Sequence, residues 1–334
     1  MDMNIRDVTS LKQFAADRLN HAREAKKIVL IFGGTLTAMA VLVTLLQFLL
    51  DAWIGKTSGL GSMGTRSVLS TIKTVLPVLE MVVSTCLSIG YLASMLRVAR
   101  GQYVSPKTLR LGFDRFWVLL RKTLLEELIY LGAAIVSMYI SMFFYMVTPL
   151  SRDLMEVLTP LISGSSALDP TSLLTDPQIY AQVTGAMLPF FVLFLVVFCL
   201  VAIPLAFRYR MADYVLIDHP EKGALAILRE SRKMMRGNCL NLLRVDLNLW
   251  WYYGAVALIT LIGYGDMLLS LLGVTFPWSE DAVYYLFFAL YQALQFALCV
   301  FFRNRMETTY ALSYDAIRPQ PPQNSVVLGN IFQM

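Results

Sequence analysis

Glu80 is the best candidate for a functional ionisable residue, because it lies inside a long apolar stretch of the chain. A carboxylate in an apolar medium is strongly unfavourable unless it is protonated or paired. Lys73 precedes Glu80 by about two helical turns on the same face, with Pro77 between them. Two interpretations follow. Glu80 binds a cation or relays a proton where Pro77 interrupts the helix, or it lies near the outer interface and pairs with Lys73 in contact with water.

Arg232, Lys233 and Arg236 form a second candidate site, because they fall on one side of a predicted helix. Cations at a membrane surface attract anionic lipid headgroups, and each Lys or Arg contributes ~1 kcal/mol. Lys and Arg residues are also retained on the cytoplasmic side of membranes, and this retention explains their excess in the segment without lipid recognition. Contacts with anionic lipids are therefore a hypothesis for these three residues.

The chain lacks the motifs on which soluble enzymes depend. His21 and His219 are its only histidines, and neither belongs to a metal-binding spacing such as H-E-x-x-H. No G-x-S-x-G motif, Walker lysine loop or carboxylate cluster occurs, and the four cysteines include no C-x-x-C pair. We therefore predict a non-enzymatic protein with no catalytic, metal-binding or cofactor-binding residues. The alternative is a lipid-handling or lipid-modifying membrane enzyme whose acidic residues face a cavity.

Two glycine motifs resemble binding sites but occur in the wrong context. Gly59–Gly64 matches G-x-G-x-x-G, yet it follows an apolar helix rather than a strand, so a flexible loop is predicted. The Gly-Tyr-Gly-Asp sequence at Gly263–Asp266 is similar to a potassium-channel filter, but it lies inside a predicted span and not in a re-entrant loop. We predict a helix end softened by glycine at that position.

The composition of the chain is that of a membrane protein. Apolar residues make up 57% of the 334 residues and charged residues 15%, and the mean hydropathy is +0.60. Apolar stretches of the ~20 residues needed to cross a bilayer predict an all-α, polytopic helical protein with about six transmembrane helices. They fall near residues 28–50, 76–96, 128–148, 187–207, 247–272 and 282–302. The expected organisation is a cytoplasmic arm at 1–27, a membrane domain at 28–318 and a cytoplasmic tail at 319–334.

The positive residues alternate along the chain in a way that predicts its orientation. Of the 28 Lys and Arg residues, 24 lie in the alternate segments 1–27, 97–127, 208–246 and 303–334. Such residues are retained in the cytoplasm, so both termini should lie there. The same bias accounts for the net charge of +5 without nucleic acid as a partner. The predicted partners are the lipid bilayer, including anionic lipids, and a membrane protein or a second copy of the chain.

Amphipathic helices are predicted in the three cytoplasmic segments that precede odd-numbered spans. In the arm, apolar residues recur at helical spacing from Leu11 to Ala22. In the second segment, Ser105 and Pro106 provide an N-cap and a first residue for a helix that continues to Leu124. That helix either lies in the membrane interface or extends the third span, and the sequence leaves both alternatives open.

The third cytoplasmic segment carries signals for both ends of a helix. Asp218, Pro220 and Glu221 resemble a capping box, which predicts that the helix begins there. Ala224, Ile227, Leu228, Ser231 and Met235 then follow at helical spacing, and Gly237 provides a stop.

Parts of this segment resemble a known family. Residues 212–220 read Ala-Asp-Tyr-Val-Leu-Ile-Asp-His-Pro, Ser231 and Met235–Asn238 follow, and Tyr-Ala-Leu-Ser-Tyr stands at Tyr310–Tyr314. Together they resemble the bacterial membrane proteins of the domain of unknown function 975 family, most specifically over about residues 204–318. The resemblance implies a multi-span protein of the bacterial cytoplasmic membrane and no particular reaction.

The expected roles are transport of a small solute or peptide, or organisation of lipids and partner proteins. A transporter or a membrane enzyme requires a polar cavity at membrane depth, which we expect near Glu80. A scaffold requires only apolar contacts there. The presence or absence of such a cavity therefore discriminates between these classes.

Overall fold

The computed structural model describes residues 7–56, 63–152, 155–156, 159, 177–271 and 280–318. Regular structure in these residues is helical, and they contain no strand. Two features of the sequence fall wholly or largely outside them: the Gly59–Gly64 motif and the tail at 319–334.

The helices are numbered in chain order. They are α1 (Val8–His21), α2 (Arg23–Lys56), α3 (Met63–Ala99), α4 (Leu111–Asp114), α5 (Phe116–Val147), α6 (Pro177–Tyr209), α7 (Ala212–Asp218), α8 (Ala224–Met235), α9 (Cys239–Asn248), α10 (Trp250–Gly263), α11 (Gly265–Leu271), α12 (Glu280–Leu298) and α13 (Asn304–Ile317). Two 3₁₀ helices lie at Pro106–Arg110 and Pro149–Ser151, and a π-helix at Cys299–Arg303 joins α12 to α13.

Several helical segments are long and apolar enough to cross a membrane. Five such segments are Glu24–Lys56, Gly64–Ala99, Phe116–Val147, Gly185–Asp218 and Ala282–Ile317. A sixth is obtained if α9 and α10, which meet at a bend of 65°, form one span. The described part of the chain therefore has the predicted all-α, polytopic helical class.

The predicted fifth span at 247–272 is not one straight helix. The chain bends at Leu249 between α9 and α10, and it is interrupted again at Tyr264 between α10 and α11. A Cβ atom on Gly263 would lie 2.8 Å from the Tyr291 ring of α12. The glycine at this position therefore allows close packing against α12, and the helix ends there as predicted.

The chain divides into two compact units, one formed by Met1–Leu119 with Met211–Met334 and the other by Leu120–Arg210. In the second unit, the Tyr145 hydroxyl of α5 donates a hydrogen bond to the Ala186 carbonyl of α6 at 2.8 Å. The Tyr145 ring also lies edge-on to that of Phe190. The candidate residues of the sequence analysis all belong to the first unit.

The first unit buries one end of its long helices. Helix α1 packs against α13 and α3, so Leu11 and Ala15 are buried as the amphipathic pattern of the arm predicts. A cluster of buried residues lies beside the end of α3 and includes Ile28, Val29, Phe32, Tyr91, Met95, Val98, Val104 and Leu109. Farther along, α2 and α3 expose large apolar side chains such as Leu45, Leu49 and Val78, as lipid-facing helices do.

Two glycines allow the segment after α3 to pack closely against that helix. A Cβ atom on Gly90 of α3 would lie 2.2 Å from the Leu109 carbonyl oxygen. One on Gly112 of α4 would lie 1.9 Å from the Cys86 carbonyl oxygen. Backbone therefore packs on backbone at both points, and no larger residue fits without displacement.

The predicted helix from Ser105 to Leu124 is divided in two. Its first part is the 3₁₀ helix followed by α4, and Ser105 caps it by accepting a hydrogen bond from the Lys107 amide at 3.4 Å. Its second part is the beginning of α5, which starts at Phe116 and continues into the third predicted span. The extension of the third span therefore begins only at Phe116, and an interfacial position of the first part stays a prediction.

The predicted capping box at Asp218 was wrong. Asp218 is the last residue of α7, and α8 begins at Ala224 after Gly223. Its carboxylate accepts hydrogen bonds from side chains of distant elements instead of capping α8. The predicted end of α8 is confirmed, because the helix stops at Met235 and Gly237 adopts a φ of +88°.

Candidate functional site

A cavity of about 250 Å³ lies between α2, α3, α12 and the π-helix. Its polar lining consists of Thr37, Glu80, Ser84, Tyr291, Gln292, Gln295 and Arg303. Gly33, Leu36, Ala40, Phe296 and Cys299 complete the lining. All of these residues belong to helical segments that are apolar enough to cross a membrane. The first unit thus contains the kind of polar cavity that a transporter or membrane enzyme requires.

Helical periodicity explains how side chains from separate segments reach one cavity. The α2 residues at 33, 36, 37 and 40 recur at steps of three and four, as do those of α12 at 291, 292 and 295. Glu80 and Ser84 are one turn apart on α3. The π-helix contributes Cys299 and Arg303, and π turns are frequent at functional sites because they reorient the side chains that they carry.

Glu80 contributes a charge to this cavity that no described residue compensates. Its side chain is partly buried, and it forms no hydrogen bond or ion pair with another described residue. The hypothesised pair with Lys73 is not formed. Lys73 instead binds both carboxylate oxygens of Asp51 at 2.6 and 2.8 Å. The packing of α2 against α3 brings Asp51 to Lys73. Lys73 is therefore paired elsewhere, and Glu80 lines the cavity without it.

Pro77 lies one turn before Glu80, but it does not break α3, which is continuous from Met63 to Ala99. Proline has no amide hydrogen, so the Lys73 carbonyl lacks its usual donor four residues later. The interruption of the helix at Pro77, which one interpretation of the sequence required, is therefore not observed, and the proline removes one backbone hydrogen bond.

Arg303 is the second charged residue of the cavity, and its charge is compensated. Its guanidinium lies 3.5 Å from the Glu307 carboxylate, 5.1 Å from the centre of the Phe32 ring and 5.6 Å from that of Tyr91. The two rings are stacked, with centroids 4.3 Å apart. A carboxylate and two aromatic faces together stabilise the cation away from water.

Several residues of this site, and Tyr91 beside Arg303, were not predicted from the sequence. Arg303, Gln292 and Gln295 were not singled out, although two glutamines inside an apolar run are a signal that could have found them. The Tyr91 hydroxyl was also missed. It is fully buried and has no hydrogen-bond partner among the described residues.

A second charged cluster joins the end of α3 to α7 and α13. Arg100 binds Asp218 through two hydrogen bonds of 2.6 and 2.7 Å, and it binds Asp315 at 2.8 Å. Arg318 contacts both carboxylates at 3.1 and 3.4 Å, and the Tyr314 hydroxyl donates to Asp218 at 3.1 Å. Two guanidinium groups thus balance two carboxylates, which is the pattern of a structural network.

The electrostatics of Arg100 agree with a structural role. Burial alone would lower the pKa of Arg100, but its hydrogen bonds to Asp218 and Asp315 outweigh burial and raise the pKa above its ordinary value. The guanidinium is therefore held permanently charged by its partners.

Arg232, Lys233 and Arg236 lie on the exposed side of α8 or just after it, opposite the buried Ile227 and Met235. They do not line the Glu80 cavity. None of the three forms an ion pair with another described residue, so their charges face away from the protein.

A metal site has no support within the described ranges. They contain no group of three or more His, Cys, Asp or Glu residues that could hold a metal ion. Among the described residues that line the cavity there is also no histidine and no second carboxylate beside Glu80. The site as described is suited to ionic contacts and hydrogen bonds with a small molecule.

The fold and the cavity define a multi-pass helical protein with a polar site between helices apolar enough to cross a membrane. Residues 16–320 match the family described as "Protein of unknown function (DUF975)", and the chain belongs to that family. No curated protein and no solved structure matches the chain. The match covers both segments on which the resemblance in sequence rests.

Proposed function

We propose that this protein resides in the bacterial cytoplasmic membrane with both termini in the cytoplasm, and that it binds and transports a small cationic solute. The alternation of Lys and Arg along the chain supports the orientation. The observation that carries the transport proposal is the uncompensated Glu80 carboxylate in a polar cavity between helices that are apolar enough to span a membrane.

Charge selects the class of solute. Arg303 has Glu307 as its counter-ion, so Glu80 provides the net charge of the cavity. A carboxylate away from water gains most from a cationic ligand, because the ligand supplies the missing counter-charge. A solute with a protonated amine meets this requirement.

Hydrogen bonding and volume narrow the class further. Ser84 and Gln292 belong to the same lining as Glu80, and both can donate and accept hydrogen bonds. A cavity of about 250 Å³ accommodates a small amine rather than a peptide. The proposed ligand is therefore a small molecule that combines an ammonium group with a few polar atoms.

Two other roles fit the cavity less well. A scaffold has no use for an uncompensated carboxylate between spanning helices, which lowers stability. A lipid-modifying enzyme would need a nucleophile next to a general base, and the described lining provides no histidine or second carboxylate for that pair. The exposed cations Arg232, Lys233 and Arg236 remain proposed contacts for anionic lipids around the transporter.

The test begins with ligand binding to the purified protein. The thermal unfolding midpoint would be measured with a panel of small amines and amino acids, and with carboxylates of equal size. We expect stabilisation by one or more amines and none by the carboxylates. The compound that stabilises most would then be followed as it enters proteoliposomes.

Glu80→Gln removes the charge and keeps the shape of the side chain. We expect the Kd for the amine to rise by about tenfold or more, since a hydrogen bond to a charged group contributes ~1.5–3 kcal/mol. Uptake should fall accordingly. Glu127→Gln is the matched control, because Glu127 is exposed on α5 and lies outside the cavity. Equal amine affinity and uptake in Glu80→Gln and the unmodified protein would refute the proposal.

A further inference from the structure

A second pocket, of about 200 Å³, lies between α1, the beginning of α10, the π-helix and α13. Lys12, Arg305, Trp251, Phe302 and Thr309 contribute to its lining. It shares no lining residue with the Glu80 cavity. Its two cations lie in segments that the positive-residue pattern places on the cytoplasmic side.

Neither cation of this pocket has a counter-ion among the described residues. The Lys12 ammonium donates to the Asn248 carbonyl at 2.9 Å and to the side-chain oxygen of Asn248. An ammonium has three donors, so one remains for a ligand. The Arg305 guanidinium forms no hydrogen bond or ion pair within the described ranges. Two positive groups therefore face one pocket without a carboxylate to neutralise them.

The pKa of Lys12 agrees with the lack of a counter-ion among the described residues. Burial lowers the pKa of Lys12, because no anionic side chain of the described residues offsets the loss of water. A bound anion would reverse that effect. The deficit also explains why a pocket of this composition favours an anionic ligand over a neutral one.

The remaining walls of the pocket are aromatic and exposed. The Trp251 and Phe302 rings pack edge to face with centroids 5.1 Å apart, and their side chains are 40% and 41% exposed. Trp250 and Phe301 beside them are still more exposed. Exposed aromatic residues next to cations at the end of an apolar helix are typical of the level where lipid headgroups meet acyl chains.

The bend between α9 and α10 positions these walls. Asp246 accepts hydrogen bonds from Tyr253 and Tyr310, and the bond from Tyr253 measures 3.3 Å. The two tyrosine hydroxyls also contact each other at 2.6 Å. These contacts hold α9 and the first turn of α10 against α13, so Trp251 and Arg305 face the same pocket.

We infer that this pocket binds the headgroup of an anionic phospholipid, with Lys12 and Arg305 contacting the phosphate and Trp251 and Phe302 contacting the upper acyl chains. Paired cations between membrane helices on the cytoplasmic side are suited to such headgroups. A free phosphate would leave the exposed aromatic walls unused, and a neutral lipid would leave the two cations uncompensated. The site is independent of the proposed solute cavity.

The test is lipid retention by the full chain in a neutral detergent, measured by native mass spectrometry. Phosphatidylglycerol would be compared with phosphatidylcholine of the same acyl chains. Lys12→Gln/Arg305→Gln should bind phosphatidylglycerol about tenfold or more weakly than the unmodified protein, while phosphatidylcholine binding stays unchanged. Lys107→Gln/Arg110→Gln is the matched control, since this pair is exposed and lies outside the pocket. Equal losses in the two double variants would show diffuse attraction and overturn the proposal.

Two further arms keep the test decisive. Inorganic phosphate at millimolar concentration should not displace the lipid, and displacement would show that the pocket recognises phosphate alone. Brominated phosphatidylglycerol should quench tryptophan fluorescence more than brominated phosphatidylcholine, and Trp251→Phe should remove most of this difference. If quenching is equal for the two lipids, or is unaltered by Trp251→Phe, the proposed site is wrong, whatever the folding of the double variant.

Discussion

Single residues of the solute cavity differ in whether their charge has a partner. Arg303 has Glu307 and two aromatic faces, whereas Glu80 has no partner among the described residues. The Arg303 charge is neutralised within the protein, so this arrangement needs no ligand and stabilises the unit. The Glu80 arrangement is unfavourable until a ligand or a proton neutralises the charge, and this difference distinguishes the proposed binding residue from the structural one.

The dependence of Arg303 on Glu307 can be tested through stability. Glu307→Gln leaves the cation without its carboxylate, so we expect the free energy of unfolding to fall by ~1.5–3 kcal/mol, the contribution of a hydrogen bond to a charged group. Arg303→Met/Glu307→Gln should recover part of the loss, because it removes the stranded charge. Thermal unfolding in detergent measures both effects, with the exposed Glu221→Gln as a control. A double variant less stable than Glu307→Gln would contradict this account.

Among the structural elements, the 3₁₀ helix and α4 are positioned by glycine as well as by the buried side chain of Leu109. Their backbone contacts that of α3 at Gly90 and Gly112. The amphipathic pattern of residues 109–124 predicted one helix, but a helix of that length could not make both backbone contacts and also continue into α5. The chain resolves the conflict by turning at Arg115 before α5 begins.

Alanine substitutions test the close contact between these elements. Gly90→Ala and Gly112→Ala should each lower the thermal unfolding midpoint, because the added methyl group overlaps a carbonyl oxygen. We expect a loss of ~1–3 kcal/mol in each variant. Gly34→Ala is the control, since a Cβ atom there meets nothing within 4 Å and alanine favours the helix. If all three variants shift the midpoint equally, the close backbone contacts at Gly90 and Gly112 do not contribute to stability.

The first unit, taken as a whole, is held together by contacts between residues far apart in sequence. Arg100 joins Asp218 and Asp315, which lie 118 and 215 positions away. Residues of both segments that carry the family resemblance, Asp218 and Tyr314, take part in this network. Their role in the described structure is to connect the ends of α3, α7 and α13.

The orientation of the chain in the membrane can be tested with reporter fusions. A reporter that is active only in the cytoplasm should be active at both termini, because the Lys-rich and Arg-rich segments are retained there. The same reporter inserted between residues 56 and 63 should be inactive, and an exported phosphatase should show the reverse. Activity of the cytoplasmic reporter at only one of the two termini, or at neither, would exclude the proposed orientation.

Local sequence patterns determined much of this protein. Runs of apolar residues specified the helices that are apolar enough to cross a membrane, Ser105 specified a helix start, and Gly237 specified a helix end. These features depend on neighbours within one or two turns, where the sequence contains the necessary information. The same patterns identified Glu80 as unusual, because a charge inside an apolar run is visible without any knowledge of packing.

Tertiary structure alone decided the partners of the charged residues. Lys73 binds Asp51 and not Glu80, and Asp218 binds Arg100 instead of capping α8. Gln292 and Gln295 join Glu80 across more than 200 positions of sequence. Such contacts depend on which helix faces meet when the helices pack, and the periodicity of a single helix contains no record of its neighbour. The sequence therefore determined the helices and the unusual carboxylate, while packing decided that this carboxylate faces a polar cavity.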